Sequence, residues 1–447
     1  MANRIYLCLA HMSESGEEQK YIKEAFDTNW VVPLGPNVNG FEADLEGFVN
    51  HNLNKKVVAL SAGTAAVHLA LIACGVGSSD EVIVQSFTFC ASSHPITYLG
   101  ATPVFVDSEK ETWNMDPELL EVAIKDRIAK TGKKPKAIIP VALYGMPYQI
   151  DKIMVIAEKY DIPVIEDAAE GLGSRYKGQV LGTFGRYGVL SFNGNKMITT
   201  SGGGALICPD QEAKDKIMWY ATQAREAYPY YQHEAIGYNY RMSNICAGIG
   251  RGQMTVVNNH IRHHRHIADM YREAFRDVEG IEFHDEITSP APSQGGEMIP
   301  LMESNFWLCT ILLNEKLRVK HEELAYAEAV QGAVGGAAGV VHGGGSVHTD
   351  CEPNCNVEAM RIALDKEGIE SRPLWKPMHC QPVYNRGEKR EVRGEKYSVI
   401  TYDSSVSYVN GVSEELFKRG LCLPSGPMVT DEDVNRIIQT IKTNIVK

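Results

Sequence analysis

The 447-residue chain has few cysteines and no long apolar run. Ten cysteines are too sparse for a disulfide scaffold, so reduced thiols and a cytoplasmic location are predicted. Cys351 and Cys355 are closely spaced but lack a second ligand pair, and no metal site is predicted. No apolar run approaches the roughly 18 residues of a membrane span, so no membrane association is predicted. The apolar run at 5–10 is too short for a secretory signal, so no signal peptide is predicted.

Basic charge is also in deficit. The chain carries 44 Lys and Arg against 56 Asp and Glu, a net charge of −12. A nucleic-acid-binding protein would be expected to have a basic face, so no nucleic-acid partner is predicted, and any bound phosphate must be held by local donors. The sequence has neither a Walker A motif nor G-x-G-x-x-G after a strand, which argues against nucleoside triphosphatases and dinucleotide-dependent enzymes.

Short apolar runs alternate with amphipathic segments in the first half of the chain. The runs are rich in Val and Ile with little polar alternation, which is typical of strands buried on both faces of a parallel sheet. The alternation predicts an α/β domain, in which ligands bind beyond the carboxyl ends of the strands. The predicted strands are 57–60, 81–84, 102–106, 137–142, 163–165, 189–192 and 205–207, and the predicted helices are 64–74, 117–128 and 150–160.

After about residue 250 the pattern changes. A long helix is predicted over 253–278, and its basic run at 262–266 is interpreted as a solvated face rather than a metal site. Mixed strand and helix signals follow, ending in a helix that begins near Thr430. The predicted organisation is an N-terminal segment (1–30) packing with the small domain, a large domain (31–250), and a connecting helix with a small domain (251–447) that contains a flexible Ala/Gly-rich insertion (326–347).

Polar residues follow two of the predicted strands. Gly63 and Thr64 lie at a strand-to-helix turn, where exposed N–H groups and the positive end of a helix can bind phosphate. Gly-Thr is equally an ordinary helix cap. Glu166 and Asp167 end another strand. Either both are solvated in a loop, or one of them pairs with a protonated ring nitrogen, because buried carboxylates need a cationic partner.

A lysine and a phenylalanine complete the set. Lys196 follows a strand through an Asn-Gly turn, and it is either a surface residue or, when desolvated, a nucleophile for carbonyl groups. Phe89 is either part of the core or stacks on a planar ring. A phosphate cradle, a carboxylate, a stacking ring and a Schiff-base lysine are together the parts of a pyridoxal 5'-phosphate (PLP) site.

The chain resembles the sugar aminotransferases of the DegT/StrS family, within the fold-type I PLP-dependent enzymes. The resemblance covers nearly the whole chain. It implies a large α/β domain, with a mostly parallel mixed sheet flanked by helices, and a smaller C-terminal α+β domain. It rests on the segments 35–36 (GP), 41–42 (FE), 61–66 (SAGTAA), 86–89 (SFTF), 166–170 (EDAAE), 191–200 (SFNGNKMITT), 237–242 (GYNYRM) and 371–379 (SRPLWKPMH).

The resemblance implies a role for each candidate residue. Lys196 would bind PLP covalently and move a proton between the cofactor carbon and the sugar carbon, while Asp167 would pair with the pyridinium nitrogen. Glu170 would lie near the cofactor hydroxyl, at a position where the family often has His or Gln. The remaining roles are ring stacking by Phe89, phosphate binding by Gly63, Thr64 and Ser191, phosphate binding in the neighbouring subunit by Asn239, and sugar-nucleotide binding by Lys376 and His379.

The activity that the resemblance implies is amino transfer by a homodimer with shared active sites. The expected substrates are a nucleotide-linked 4-keto-6-deoxy sugar and glutamate, which leaves as 2-oxoglutarate, in amino-sugar biosynthesis for a polysaccharide or glycan. Amination at C-3, a PLP-dependent sugar dehydratase and a non-catalytic PLP-binding regulator stay open. Lys196 argues against the dehydratase, because relatives of that type have histidine in its place.

Overall fold

The computed structural model describes residues 4–50, 53–292, 296, 298–314, 317–320 and 351–446, so the insertion predicted at 326–347 lies outside the described residues. The helices are α1 Glu17–Asp27, α2 Pro36–Val49, α3 Gly63–Ala73, α4 His94–Tyr98, α5 Pro117–Thr131, α6 Ile150–Lys159, α7 Gln211–Ala221, α8 Asn244–Met254, α9 Val257–Phe275, α10 Cys355–Lys366, α11 Val412–Arg419 and α12 Asp431–Asn444. Among the residues described, no helix is both long enough and apolar enough to cross a membrane.

The strands cover both halves of the chain. All seven strands predicted from apolar runs are present, with ends shifted by a few residues. The strands are β1 Lys56–Leu60, β2 Glu81–Gln85, β3 Thr102–Val106, β4 Ala137–Ile139, β5 Ile165–Asp167, β6 Arg175–Tyr176, β7 Gln179–Val180, β8 Tyr187–Ser191, β9 Gly204–Cys208, β10 Ile281–Phe283, β11 Pro290–Pro292, β12 Met298–Pro300, β13 Met302–Glu303, β14 Cys309–Leu313, β15 Arg318–Val319, β16 Arg372–Pro373, β17 Arg390–Arg393, β18 Ser398–Tyr402, β19 Ser405–Val409, β20 Gly420–Leu423 and β21 Ile445–Val446.

The larger sheet has the order β3-β2-β4-β5-β8-β9-β1. β2 pairs in parallel with β3 and β4, and β5 pairs in parallel with β8. Parallel bridges between Ile138 and Val164 and between Val141 and Asp167 join β4 to β5. β9 runs antiparallel to both β1 and β8. The sheet is therefore mixed, as the resemblance implied, whereas the apolar pattern alone predicted parallel strands throughout.

Three strands from the C-terminal third extend this sheet beyond β3. β19 pairs in parallel with β3, with Val406 opposite Val104, and β18 and β17 follow as antiparallel neighbours. Residues 390–409 are thus part of the larger sheet, although the sequence groups them with the small domain. The division of the chain into domains otherwise stays a prediction.

A second, antiparallel sheet has the order β10-β14-β20-β16. It shares a separate apolar core with α9, α10 and α12. The N-terminal segment contacts both parts of the molecule, because α1 packs against α8 while Ile5 bridges Ile369. α12 begins where the sequence predicted, because the Thr430 side chain accepts from the backbone N–H of Asp433 in a capping box.

The helix predicted over 253–278 corresponds mainly to α9, which covers 257–275. Residues 253–254 are instead the end of α8, and residues 255–256 separate the two helices. The interpretation of the basic run as a solvated face is wrong for His264, which is fully buried. Its Nδ1 lies 3.1 Å from the backbone oxygen of Phe306. The apolar side of α9 packs against the second core, and the helical period places His264 on that side, three residues before Ile267.

Candidate active site

A cavity of about 340 Å³ lies beyond the carboxyl ends of strands in the larger sheet. This is where an open α/β sheet binds its ligand. Its walls follow from the topology, because β1, β2, β5 and β8 all end at this edge and each delivers its next residues into the same space. Seven of the predicted site residues line the cavity: Gly63, Thr64, Phe89, Asp167, Glu170, Ser191 and Lys196.

The N-terminus of α3 forms one end of the cavity. α3 begins at Gly63, and its N-cap residue is Ala62, whose methyl side chain cannot accept a hydrogen bond from the N–H groups of the first turn. A Cβ atom on Gly63 would lie 3.2 Å from Cβ of Ser191, so glycine permits β8 and α3 to approach closely. The Thr64 and Ser191 hydroxyl groups line the same end. Backbone donors, a helix dipole and two hydroxyl groups fit a phosphate group.

Asp167 also lines the cavity and is buried. Ser92 Oγ donates to its Oδ2 at 2.6 Å, and the backbone N–H of Ala169 donates to its Oδ1 at 3.1 Å. Burial raises the pKa of the Asp167 carboxyl, while these two donors and the charge of Lys196 oppose the shift. A solvated loop is therefore excluded. A protonated ring nitrogen in the cavity would stabilise the ionised carboxylate further.

The neighbouring Glu166 is also buried but points elsewhere. Its Oε1 accepts from the backbone N–H groups of Phe184 and Gly185, both at 2.6 Å, and its Oε2 accepts from Gly182 at 3.1 Å. Burial raises the pKa of Glu166, and these backbone donors lower it. Glu166 thus organises the 182–185 turn, and Asp167 alone of the pair faces the cavity.

The Lys196 ammonium group contacts an acid and an aromatic ring. Nζ lies 3.4 Å from Oε1 of Glu170 and 4.0 Å from the centre of the Trp307 ring. Glu170 is fixed by the backbone N–H of Tyr144, which donates to its Oε2 at 2.7 Å. The Trp307 indole donates to the backbone oxygen of Asn195 at 2.6 Å. Burial raises the pKa of Glu170, and the charge of Lys196 opposes this most strongly.

Phe89 lies at the mouth of the cavity, with 54% of its surface exposed. Its ring centre is 6.2 Å from that of Trp375. The Trp375 backbone N–H donates to the hydroxyl of Tyr144 at 2.8 Å, and Tyr144 is the residue whose backbone N–H fixes Glu170. Phe89 is thus not a core residue, and its exposed face is available to a planar ring.

Three predicted site residues are not brought to this cavity. Asn239 is exposed in a segment that follows α7. Nζ of Lys376 donates to the backbone oxygen of Cys351 at 2.6 Å. His379 is buried, with Nδ1 2.6 Å from Ser86 Oγ and Nε2 3.2 Å from a Glu414 oxygen. The predicted contacts of Lys376 and His379 with a sugar nucleotide therefore stay predictions.

Sequence reasoning did not single out Ser92, Trp307 or Trp375 as site residues. Ser92 lies in a short 3-10 helix after β2, three residues beyond Phe89, and no pattern links it to Asp167. Trp307 comes from the part of the chain beyond residue 250. Trp375 lies within the segment 371–379 that carries the resemblance, and a tryptophan in such a segment was the one available signal.

The residues present fit PLP. The end formed by Gly63, Thr64 and Ser191 suits a phosphate group, and Asp167 is a buried acceptor held by the Ser92 hydroxyl and the Ala169 N–H. Lys196 has its amine in the same space. An anion-binding end, an acceptor for a protonated ring nitrogen and an amine for an aldehyde are the three chemical needs of this cofactor.

Comparison with known proteins gives a consistent result. The profile of the DegT/DnrJ/EryC1/StrS aminotransferase family matches residues 12–336. EpsN of Bacillus subtilis (strain 168), which carries the name of a pyridoxal phosphate-dependent aminotransferase, is 41% identical over 99% of this chain and 96% of its own. GDP-perosamine synthase of Escherichia coli O157:H7 is 32% identical over 98% of each chain. A DegT DnrJ EryC1 StrS aminotransferase structure from Brucella abortus has 26% identity and a TM-score of 0.76, over 97% of this chain and 96% of that one.

Proposed function

We propose the substrates and the reaction of this protein from its family. The chain belongs to the DegT/DnrJ/EryC1/StrS aminotransferase family. It is a PLP-dependent sugar aminotransferase of fold type I. The substrate proposed is a nucleotide-linked 4-keto-6-deoxy sugar, with glutamate as the amino donor. The relative named GDP-perosamine synthase supports a nucleotide-linked amino sugar as the product. The role proposed is in amino-sugar biosynthesis for a polysaccharide, and a cytoplasmic location stays a prediction from composition.

One observation carries the catalytic part of the proposal: the Lys196 amine, the Asp167 carboxylate and the N-terminus of α3 share one cavity. Gly63, Thr64 and Ser191 would hold the phosphate, Phe89 would cover the ring, and Lys196 would bond to the aldehyde carbon. When bound, PLP supplies an electron sink for the carbon that loses a proton. Asp167 would keep the ring nitrogen protonated, because an ionised carboxylate stabilises the adjacent cation.

Lys196 would be the group that moves the proton. Its amine contacts both the Glu170 carboxylate and the Trp307 ring, and these two contacts restrict its position within the cavity. An amine held in one place could move a proton from the amino-acid carbon to the cofactor carbon in the first half of the reaction, and from the cofactor carbon to the sugar carbon in the second half. Glu170 is buried beside it and would stabilise the protonated amine between the two transfers.

A homodimer with shared sites is part of the proposal. Asn239 is exposed and does not line the cavity of its own chain. The segment before it exposes several large apolar side chains: Tyr228, Tyr230, Tyr231 and Ile236. An exposed apolar surface of this kind is typical of a protein contact. Asn239 would then reach the phosphate end of the partner's site.

The test is a panel of keto-sugar nucleotides, with different nucleotides and ketone positions, incubated with the holoenzyme and glutamate. Release of 2-oxoglutarate together with an amino sugar, identified by mass spectrometry and by NMR of the aminated carbon, is the expected result. Amination at C-3 would change the substrate assignment. Loss of water from the sugar without retained nitrogen would identify a dehydratase, and cofactor binding without 2-oxoglutarate from any substrate would contradict an amino transfer role.

A further inference from the structure

Two cysteines and a glutamate converge outside the active-site cavity. The Sγ atoms of Cys351 and Cys380 and a carboxylate oxygen of Glu414 all lie within 4.8 Å of one another. They come from three separate stretches of chain: the residues before α10, the short helix Met378–Cys380 and α11. Cys355, which the sequence spacing pairs with Cys351, is exposed and lies outside this cluster. The fold therefore replaces the apparent sequence pair with a different one.

The atoms in this cluster are ligands that zinc prefers. Zinc takes thiolate sulfur at about 2.3 Å and carboxylate oxygen at about 2.0–2.2 Å in a tetrahedron. Ligand atoms in such a tetrahedron are about 3.5–3.8 Å apart. Since the three atoms here are already within 4.8 Å of one another, small side-chain rotations bring them to that spacing. A water molecule would complete the fourth position.

The surrounding groups orient the carboxylate ligand. Nε2 of His379 lies 3.2 Å from Oε1 of Glu414, and Nδ1 of His379 lies 2.6 Å from Ser86 Oγ. Metal ligands are commonly held by such outer hydrogen bonds, which fix their direction. This arrangement gives the buried His379 a function away from the active-site cavity.

The electrostatic balance also suits a zinc complex. Two thiolates, one carboxylate and Zn²⁺ sum to one negative charge, which is costly to bury without a cation nearby. Nζ of Lys418 lies 3.8 Å from Oε2 of Glu414, and Nζ of Lys376 donates to the backbone oxygen of Cys351 at 2.6 Å. These two ammonium groups offset the residual charge. A disulfide between the cysteines would need no carboxylate, so the convergence of Glu414 favours a metal ion.

We propose that Cys351, Cys380 and Glu414 bind one zinc ion. The ion would link three parts of the chain: the segment of Cys380, α11 and the residues just before α10. The first of these segments also carries Trp375, which lines the active-site cavity. This site is independent of the sugar substrate and of the amino donor. It replaces the expectation from the sequence that the protein has no metal site.

The experiment measures zinc in the holoenzyme by mass spectrometry of the metal. Protein purified without chelators or metal-affinity resin is equilibrated with a small excess of Zn²⁺ and desalted. About one zinc ion per chain is expected in the wild type, and at least tenfold less in Cys351→Ser and Cys380→Ser. Cys355→Ser is the matched control, because it removes a neighbouring exposed thiol and should retain full zinc content.

Glu414→Gln provides a variant that keeps both thiols and nearly the same shape. Its zinc affinity, measured by competition with a chromophoric chelator, should fall at least tenfold. Cofactor absorbance of each variant verifies that the fold is intact. Equal zinc content in the wild type and a Cys351→Ser/Cys380→Ser double variant would overturn the proposal. An intact mass two hydrogens lighter, with the Cys351 and Cys380 peptides linked, would overturn it in favour of a disulfide.

Discussion

The adjacent acids Glu166 and Asp167 should respond to the same chemical change in opposite ways. Converting each to its amide removes one negative charge and almost no volume. Asp167 faces the cavity, whereas Glu166 accepts three backbone N–H groups in the 182–185 turn. We therefore expect Asp167→Asn to remove activity and leave stability almost unchanged. Glu166→Gln should remove stability and leave the chemical step almost unchanged.

The hydrogen bonds around Asp167 can adapt to an amide. Ser92 Oγ lies 2.6 Å from Asp167 Oδ2 and 2.8 Å from Thr88 Oγ1. In Asp167→Asn, Ser92 can turn its proton toward Thr88 and accept from the new NH₂ group, while the remaining oxygen keeps the Ala169 N–H. The fold is preserved, but the ring nitrogen of the cofactor loses the charge that keeps it protonated. A loss of two to four orders of magnitude corresponds to about 3–6 kcal/mol of transition-state stabilisation.

Glu166 has no such freedom. A glutamine at this position keeps one acceptor oxygen for two of the three backbone donors and turns an NH₂ group toward the third, Gly182 N–H. One buried donor is then left without an acceptor, which costs about 1–3 kcal/mol. The free energy of unfolding should therefore fall by about that amount in a urea titration, with the chemical rate within a few-fold of the wild type.

The assay for both variants is the single-turnover reaction of the holoenzyme with glutamate, followed by stopped-flow absorbance of the cofactor. Saturating cofactor and glutamate separate the rate of the chemical step from binding. Wild-type speed in Asp167→Asn together with a slow Glu166→Gln enzyme would mean that the carboxylates have been assigned in the wrong order. Normal rates in both variants would place the partner of the ring nitrogen elsewhere.

Three further predictions concern Lys196, Asn239 and His264. Borohydride should fix the cofactor to Lys196 in the yellow holoenzyme, and Lys196→Ala should lose both the fixation and amino transfer; full turnover by that variant would contradict the assignment. Mixed Lys196→Ala and Asn239→Ala subunits should recover some activity, since a hybrid dimer has one site with both residues intact. No recovery despite proven subunit exchange would place Asn239 outside the partner's site. Burial lowers the pKa of His264 to about 3. Between pH 6.5 and pH 3 this histidine is therefore protonated in the unfolded chain but neutral in the folded one. The free energy of unfolding should fall by up to about 1.4 kcal/mol for each pH unit of acidification in that range. His264→Asn should reduce this slope in urea titrations between pH 7 and 4, and an identical slope would refute it.

The sequence was most informative where chemistry is local. Buried strands read as Val- and Ile-rich runs, and the residues after them fall at one edge of the sheet, so seven candidate residues meet in one cavity. Strand direction was not readable, because the apolar composition of β9, which runs antiparallel to both of its neighbours, is the same as that of the parallel strands β2 and β3. The contact of Trp307 with Lys196 was also beyond reach, since it joins residues more than a hundred positions apart. The burial of His264 was not predicted, because the neighbouring basic residues indicated a solvated helix face, although the helical period places His264 on the apolar side.

The pairing of β19 with β3 has a consequence for how the protein is made. The two strands are about 300 residues apart in sequence, so the larger sheet cannot be finished until nearly the whole chain has left the ribosome. Until then β3 is an open edge with unpaired N–H and C=O groups, and an open edge invites pairing with another chain. Nascent or C-terminally truncated chains should therefore aggregate through β3. Residues 390–409, which extend the sheet beyond β3, protect this edge from neighbouring chains.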